Sequence, residues 1–401
     1  MKIALFGYGL TTKSLAKKYA PNCDIFDDKF RENSTDEYGN NLLMCKEYVS
    51  ENYTLSIPSP GFPPNHKLVQ ESKNLLSEYD VFEDMPISVW ISGTNGKTTT
   101  TQMLGFLLEK RGAVTGGNIG TPLASLDKNA PIWILETSSF TMHYTTKAKP
   151  DVYLLLPIRD DHISWHGSFK AYEEAKLKPL FMMEEGSVAI VPQEYLHLQP
   201  QTLAMLIGYE DSCDLAKKMN IDIDKVNIKE PFLLDALLAL SAEIVLFDEA
   251  NIEKINSFKI DKHKLEELYD NRNRLWVNDT KGTNIDATIE AIKRYKDKKI
   301  YIILGGDDKG VELTRLFEAM RKVDIEIFAI GSNMLKLEKL AKEANIAVFT
   351  CKTLDVAVMK IDEKLDNVSV GLLSPAAASL DQFSSYVQRG ELFISLVKSL
   401  K

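Results

Sequence analysis

This 401-residue chain has few cysteines, no excess of positive charge and no long apolar run, and each of these features argues against a class of protein. The four cysteines form no Cys-x-x-Cys pair, which indicates reduced thiols in a cytoplasmic protein rather than a disulfide scaffold. The formal net charge of −9 argues against a nucleic-acid-binding surface. The best apolar run, 232–240, is short and interrupted by Asp235, so we expect no membrane insertion. The N-terminus leads directly into a short strand and does not resemble a signal peptide.

The most informative segment that is present reads WISGTNGKTTT and spans 90–100. Gly93 and Gly96 allow the backbone to curl so that several N–H groups point at one spot, and the start of a helix adds partial positive charge. Lys97 adds a full charge, and Thr98 offers a hydroxyl to a metal ion. The general P-loop pattern needs an earlier glycine that is absent here. The segment therefore predicts a shortened loop for nucleotide phosphates, and the alternative is a plain strand-to-helix turn with an exposed lysine.

Alternation of apolar strands with helical segments predicts an α/β protein of three domains. We expect a Rossmann-like domain at 1–86, a central P-loop-type ATPase domain with a mostly parallel sheet at 87–261, and a doubly wound Rossmann-like domain at 262–401. Within the central domain, the pattern of 193–260 is irregular apart from a helix at 231–246.

Two polar groups follow apolar strands of the central block. Glu136 ends a strand near the phosphate loop, where an acid commonly holds magnesium, and the alternative is a solvated loop acid. His162 and His166 have a spacing that invites a zinc site, but His162 lacks the neighbouring glutamate of a His-Glu-x-x-His motif and no cysteine is near. Beside the phosphate loop, His162 is better interpreted as a neighbour of magnesium or phosphate.

Three lysines outside the phosphate loop are further candidate functional residues. Lys176 lies in a helical segment, and its pattern alone indicates a surface lysine. Lys281 and Lys309 each follow a strand end in the third block, where they could grip carboxylates or phosphates. The alternative for both is a loop lysine that contributes only solubility.

Together, segments from all three blocks resemble the Mur ligase family, the ATP-dependent amide ligases of peptidoglycan synthesis. The tail SPAAASLDQFSSYVQRGELF at 374–393 is the most discriminating and resembles the D-glutamate-adding branch of that family. The other markers stand in this order: SGTNGKTTT at 92–100, GNIG at 117–120, LETSSF at 135–140, DDH at 160–162, EAKLK at 174–178, HKLEEL at 263–268, NDTKGTN at 278–284 and GGDDKG at 305–310.

The resemblance implies an enzyme that uses ATP to join D-glutamate to UDP-N-acetylmuramoyl-L-alanine through an acyl phosphate. The domains in chain order would bind the UDP substrate, ATP and D-glutamate. We expect a monomer in the cytoplasm, with no nucleic-acid partner. Other interpretations are another Mur-type or folylpolyglutamate-type ligase, a non-catalytic nucleotide-binding regulator, or an NAD-dependent oxidoreductase built on the Gly7-x-Gly9 turn and Asp27.

The resemblance also implies roles for individual residues. The catalytic set would be Lys97, His162 and Lys176. The ATP-binding set would be Gly93, Thr94, Asn95, Gly96, Lys97, Thr98, Thr99, Lys264 and Asp279. The UDP-substrate set would be Leu10, Thr11, Asp27, Asp28, Gly61 and Asn118. The D-glutamate set would be Lys281, Thr283, Lys309, Ser379, Leu380 and Tyr386. Two magnesium ions would be held by Thr98, Glu136, His162 and Lys176, the last of them carbamylated.

The chain departs from the family pattern at several of these places. The His-Asn pair usual near the adenine is missing from 230–235, so the adenine contacts are left open. Lys29 and Lys264 each stand where an arginine is usual, and Tyr386 stands where a phenylalanine is usual.

Overall fold

A computed structural model describes residues 2–400, and the chain divides into two compact units, Met1–Phe258 and Lys259–Lys401. Three β-sheets, mostly parallel and flanked by helices, make the protein an α/β protein, as predicted. The unit boundary falls close to the border predicted after residue 261. The border predicted after residue 86 lies inside the first unit and stays a prediction. Among residues 2–400, no helix is both long and apolar enough to cross a membrane.

The first sheet begins the first unit and has five strands in the order β3-β4-β2-β1-β5, parallel except for the β3–β4 pair. Its buried apolar strands run directly into short polar turns, the pattern of a parallel sheet covered on both faces. The strands are β1 (Ile3–Phe6), β2 (Cys23–Phe26), β3 (Ser34–Thr35), β4 (Asn41–Leu43) and β5 (Leu55–Pro58). The helices are α1 (Leu10–Tyr19), α2 (Lys67–Glu71) and α3 (Glu78–Val81).

The second sheet is entirely parallel, with six strands in the order β11-β10-β9-β6-β8-β7. The strands are β6 (Ile87–Ser92), β7 (Val114–Gly117), β8 (Ile132–Glu136), β9 (Val152–Leu155), β10 (Val188–Pro192) and β11 (Met205–Tyr209). The helices are α4 (Lys97–Leu108), α5 (Ser139–Tyr144), α6 (Ile163–His166), α7 (Phe169–Leu177), α8 (Ser212–Lys218), α9 (Phe232–Phe247) and α10 (Ile252–Asn256). Because β6 is central, the turn that follows it lies in the middle of the sheet's carboxyl edge, where open α/β sheets bind ligands.

One continuous apolar core explains why both of these sheets belong to a single unit. Buried side chains of the first sheet, such as Ile3 and Ile57, belong to the same cluster as Trp90 and Trp133 of the second. Tyr79 on α3 packs edge-on against Trp90, with ring centroids 4.8 Å apart. The segment that leads from the first sheet into the second therefore contributes to the core.

The second unit contains the third sheet, with the order β12-β13-β17-β14-β15-β16 and one antiparallel pair, β12–β13. The strands are β12 (Glu266–Tyr269), β13 (Leu275–Asn278), β14 (Lys299–Leu304), β15 (Ile325–Ile330), β16 (Ala347–Lys352) and β17 (Ser369–Leu373). The helices are α11 (Ile285–Arg294), α12 (Thr314–Met320), α13 (Met334–Ala344), α14 (Leu354–Asp362) and α15 (Tyr386–Ser399). Strand β17 pairs with both β13 and β14, so the loops after these three strands are neighbours at one edge.

The observed bounds of β1, β2, β14 and β15 are those of the predicted apolar strands, whereas β16 continues to Lys352, three residues beyond its predicted end. Strands β3, β4, β5, β7 and β12 were not predicted. The segment 193–260, expected to be irregular apart from one helix, also contains β11, α8 and α10. Strand β11 is an edge strand with exposed Met205, and it was not predicted from the sequence although its residues 205–207 are apolar.

Candidate active site

The loop between β6 and α4 has a backbone that only glycine adopts without strain. Gly93 has φ +136° and Gly96 has φ +89°. A Cβ atom would lie 2.5 Å from the Leu156 Cβ atom at Gly93 and 2.4 Å from Asp235 Oδ1 at Gly96. Both the left-handed backbone and the close packing therefore require glycine at these two positions. The loop leads directly into the start of the twelve-residue helix α4, whose dipole favours an anion.

Two lysines converge on one carbonyl oxygen of this loop. Lys97 Nζ donates to Gly93 O at 2.9 Å and to Thr94 O at 2.8 Å, while Lys176 Nζ donates to Gly93 O at 2.7 Å. Lys176 is only 1% exposed. Burial, with the charge of Lys97 as a smaller cause, lowers the pKa of Lys176 well below its usual value. The pattern of α7 alone indicated a surface lysine, whereas the structure brings Lys176 to the phosphate loop.

A hydroxyl, an amide and a carboxylate meet beside the loop. Glu136, at the end of β8, is 1% exposed and accepts from Thr98 Oγ1 at 2.8 Å and from Asn118 Nδ2 at 2.9 Å. A carboxylate and a threonine hydroxyl are hard oxygen donors of the kind that magnesium prefers, so the residues suit that ion. Among residues 2–400, no group of three or more histidine, cysteine and acidic side chains could hold a metal. Magnesium here would therefore need phosphate oxygens to complete its coordination.

The remaining loop residues fix the loop or face outward. Thr94 is buried, and its hydroxyl accepts from the backbone N–H of Arg159 at 2.8 Å and lies 3.0 Å from the Tyr172 hydroxyl. Asn95 is exposed, and Thr99 is buried inside α4. The loop is thus attached to the carboxyl end of β9, close to the DDH segment.

His162 lies at the same end of the sheet, in the left-handed backbone region with φ 52°. Its exposed ring is 4.7 Å from the ring of Phe140 and 6.2 Å from that of Tyr172. His166 Nε2 lies 3.0 Å from Ser139 Oγ, and burial lowers the pKa of His166 to about 4. Neutral His166 therefore supports the segment that presents His162, a role that its spacing in the sequence did not indicate.

The residues predicted to bind the UDP substrate in the first block lie on turns at the carboxyl edge of the first sheet. Exposed Leu10 and half-buried Thr11 open α1. Asp27 accepts from the backbone N–H of Tyr8 at 2.9 Å, and Asp28 is paired with His66 at 3.1 Å. The carbonyl of exposed Gly61 accepts from Trp165 Nε1 at 3.3 Å, while Asn118 lies beside Glu136 in the second sheet.

The second unit has a separate polar cluster at the carboxyl end of β13. Asp279 is buried and accepts from Ser374 Oγ at 2.6 Å and from the backbone N–H of Leu265 at 3.2 Å. Burial raises the pKa of Asp279 to about 7. Lys264 adjoins this cluster and lies 3.2 Å from Asp261, so these two residues assigned to ATP belong to the second unit.

Most residues predicted to bind D-glutamate cluster on the neighbouring loops. Lys281 Nζ lies 4.2 Å from the ring centroid of Tyr386, and the backbone N–H of exposed Thr283 donates to Lys281 O at 2.8 Å. Ser379 is buried, whereas Leu380 is exposed.

The loops after β14 and β17 also pair with each other. Asp307 and Ala378 form an antiparallel bridge between them. Lys309 is exposed with φ 52°, and its backbone N–H donates to Asp307 Oδ1 at 3.0 Å. This pairing holds Lys309 on the same edge as the tail segment 374–380.

Two structurally important residues escaped the sequence predictions. Asp235, seen only as an interruption of an apolar run, is buried on α9 and accepts from Thr100 Oγ1 at 3.3 Å beside the phosphate loop. Arg389 is buried on α15 and contacts the loop at Thr280. A polar residue inside a continuous apolar run was the available signal for Asp235, and membership of the discriminating tail was the signal for Arg389.

Comparison with known proteins agrees with this arrangement. A family model described as the Mur ligase middle domain matches residues 91–205. A UDP-N-acetylmuramoylalanine–D-glutamate ligase of Campylobacter jejuni (strain 81-176) is 55% identical over 405 residues and covers 100% of both chains. The solved structure of the MurF ligase of Thermotoga maritima with ADP matches 86% of this chain and 88% of its own, at 16% identity and a TM-score of 0.57. The chain therefore belongs to the Mur ligase family, with its fold, and is an ATP-dependent amide ligase.

The curated relatives also indicate which branch of the family the chain belongs to. A UDP-N-acetylmuramoylalanine–D-glutamate ligase of Helicobacter pylori (strain 26695) is 44% identical over 419 residues, covering 99% of each chain. With the Campylobacter relative, it places the chain among the D-glutamate ligases of peptidoglycan synthesis. The oxidoreductase and regulator interpretations gain no support from these relatives.

Proposed function

We propose that the protein joins the amino group of D-glutamate to the alanyl carboxylate of UDP-N-acetylmuramoyl-L-alanine, using ATP, in the synthesis of peptidoglycan precursors. The observation that carries the proposal is the phosphate loop with Lys97 and the Thr98–Glu136 pair beside it, in a chain collinear with D-glutamate ligases. The reaction would take place in the cytoplasm, and we expect the enzyme to act as a monomer.

The proposed chemistry has two steps. An oxygen of the alanyl carboxylate attacks the γ-phosphorus of ATP, the bond to the bridging oxygen breaks and ADP leaves. The D-glutamate nitrogen then attacks the acyl carbon and loses a proton, and phosphate leaves with the electron pair of the C–O bond. Both steps depend mainly on positioning and on neutralising phosphate charge.

The phosphate loop would perform most of this neutralisation. Its amides and Lys97 would hold the β- and γ-phosphates, and Lys97 would exchange its bonds to the Gly93 and Thr94 carbonyls for bonds to phosphate. Asn118, already bonded to Glu136, would orient the end of the UDP substrate that reacts.

Magnesium at this site would be held by Thr98 and Glu136, with His162 and Lys176 near a second ion, and would supply charge neutralisation at the phosphates. A buried lysine with a lowered pKa supports carbamylation of Lys176. Its neutral nitrogen can form a bond to the carbon of CO₂ and release a proton, which replaces a cation by a carboxylate-like group.

The substrate ends would be bound by the loops described above. The UDP end would lie on the turns carrying Leu10, Thr11, Asp27, Asp28 and Gly61. D-glutamate would lie on the second unit, where Lys281 and Lys309 supply positive charge for its two carboxylates. The ATP set would include Lys264 and Asp279 of the same unit.

An amino-acid specificity assay tests the proposal. With UDP-N-acetylmuramoyl-L-alanine and ATP present, phosphate release should require D-glutamate, and L-glutamate, meso-diaminopimelate and L-alanine serve as controls. Omitting the UDP substrate should abolish release. Turnover with meso-diaminopimelate or with a folate acceptor, and none with D-glutamate, would contradict the assignment.

A further inference from the structure

Arg389 is a charged side chain enclosed by the second unit without a hydrogen-bonded carboxylate among the described residues. It is 1% exposed. Its Nε atom donates to Thr280 Oγ1 at 2.9 Å, and Nη2 donates to Thr280 O at 3.1 Å and to Ala377 O at 3.2 Å. Every one of these acceptors is a neutral oxygen on a loop at the carboxyl edge of the sheet.

The three hydrogen bonds join two loops that carry candidate D-glutamate residues. Thr280 precedes Lys281 at the end of β13, and Ala377 lies in the tail segment, two residues before Ser379. A direct bond between these loops accompanies the guanidinium, since the backbone N–H of Ala376 donates to Gly282 O at 3.0 Å. Arg389 therefore sets the spacing between Lys281 and Ser379.

Thr280 also connects Arg389 to the aromatic ring beside Lys281. Its hydroxyl accepts from Arg389 Nε and donates to Tyr386 O at 3.0 Å, so it acts as acceptor and donor at once. Lys281 Nζ then lies 4.2 Å from the centroid of the Tyr386 ring. The guanidinium thus fixes both the loop of Lys281 and the start of the helix that presents the ring.

The energetic cost of burying the Arg389 guanidinium indicates that this side chain does more than fill space in the core. Removing a guanidinium from water without an ion-pair partner is unfavourable, and burial lowers the pKa of Arg389 to about 10. The charge of Asp381 acts in the opposite direction on that pKa, but its effect is the smaller one. An apolar side chain would fill the same space at lower cost, but it could not bridge three oxygens on two loops.

We propose that Arg389 is a positioning residue for D-glutamate, holding Lys281, Tyr386 and Ser379 in register without touching the substrate. This inference rests on the proposed function, because it assumes that these loops bind the amino acid. The planar fork of arginine is essential to it, since a lysine in the same place could reach one of the oxygens but not all three.

The test is Arg389→Lys in the full-length enzyme, with Arg274→Lys as the matched control. Arg274 is also buried in the second unit, but it binds Asp270 at 2.8 Å at the opposite end of β13. We expect Arg389→Lys to raise the KM for D-glutamate about tenfold or more, with the KM values for ATP and the UDP substrate within about twofold of wild type. Arg274→Lys should lower thermal stability without a selective change in any KM.

Thr280→Val provides a second variant that keeps shape and charge if Arg389→Lys folds poorly. It removes the acceptor of Arg389 Nε and the donor to Tyr386 O, so the same selective rise in the KM for D-glutamate is expected. Equal changes in all three KM values for both variants, tracking their loss of thermal stability, would overturn the positioning role. Failure of the proposed function is distinguishable, because wild-type enzyme would then release no phosphate with D-glutamate.

Discussion

Replacement of Lys176 by methionine separates the chemistry of its amine from its packing. Methionine keeps an unbranched apolar stem in a site where Lys176 is 1% exposed. The bond from Lys176 Nζ to Gly93 O, 2.7 Å long, is lost, but Lys97 Nζ remains 2.9 Å from the same oxygen. The Gly93 carbonyl therefore keeps a donor, and one desolvated amine is removed. We expect the free energy of unfolding at pH 7 to change by less than about 2 kcal/mol.

The pH dependence of that difference has a definite sign. Burial and Lys97 make the pKa of Lys176 lower in the folded state than in the unfolded state. Between the two pKa values the unfolded chain binds more protons, so wild-type stability rises with pH across that window. The methionine variant lacks this contribution. Wild type should therefore gain stability relative to the variant as the pH rises towards 10.5, the usual lysine value.

Activity should respond quite differently from stability. If carbamylated Lys176 supports a metal ion at the γ-phosphate, the variant should lose at least about 100-fold in kcat, as expected when a preorganised electrostatic group is removed. Added bicarbonate should restore none of it. Lys178→Met is the matched control, because Lys178 Nζ binds His143 O at 2.9 Å, away from the phosphate loop.

Two assays measure the effects of Lys176→Met on activity and on stability: phosphate release with all three substrates, and urea unfolding at several pH values. Near-normal turnover of Lys176→Met would remove the amine from the reaction. An equal loss in Lys178→Met would show that the helix end, and not the carbonyl contact at Gly93, is what activity requires.

Two further predictions follow from backbone geometry and from burial. Gly96→Ala should weaken nucleotide binding about tenfold, because φ +89° strains an alanine by about 1–2 kcal/mol and the new Cβ would lie 2.4 Å from Asp235 Oδ1. An unchanged ADP titration of that variant would contradict the assigned loop geometry. Burial raises the pKa of Asp279 to about 7, so the unfolded chain loses this proton first and the wild-type protein loses stability as the pH rises from about 4 to about 7. Asp279→Asn should abolish that loss of stability. Parallel pH dependences of unfolding for wild type and variant across that range would refute it.

Sequence reasoning located most of the buried strands and the glycine turn before α4, because these depend on local chemistry. A continuous apolar run such as Ile300 to Leu304 in β14 has no alternative to burial, and Gly93 and Gly96 indicate a turn that other residues cannot make. The position of Glu136 near Thr98 could also be predicted from the sequence, since an acidic residue at the end of this strand lies beside the phosphate loop.

The burial of isolated charged side chains could not be predicted from the sequence in the same way. Lys176 lies in a helix whose charged sequence indicates solvent, and only the approach of α7 to Gly93 buries its amine. Arg389 likewise depends on contacts more than one hundred residues apart in the chain, such as that with Thr280. Such contacts are set by tertiary packing, which local periodicity does not contain.

Lys176 and Arg389 are both buried basic side chains, but their environments suit them to different tasks. Each donates to a backbone carbonyl oxygen of a binding loop, Gly93 in the first unit and Thr280 in the second, and neither has a carboxylate as its hydrogen-bond partner in those contacts. Desolvation favours the neutral form of Lys176, which can accept CO₂, whereas a guanidinium keeps its charge when its pKa falls to about 10. A lysine is therefore suited to the loop that we propose for phosphoryl transfer, and an arginine to a loop that would only need to hold its shape.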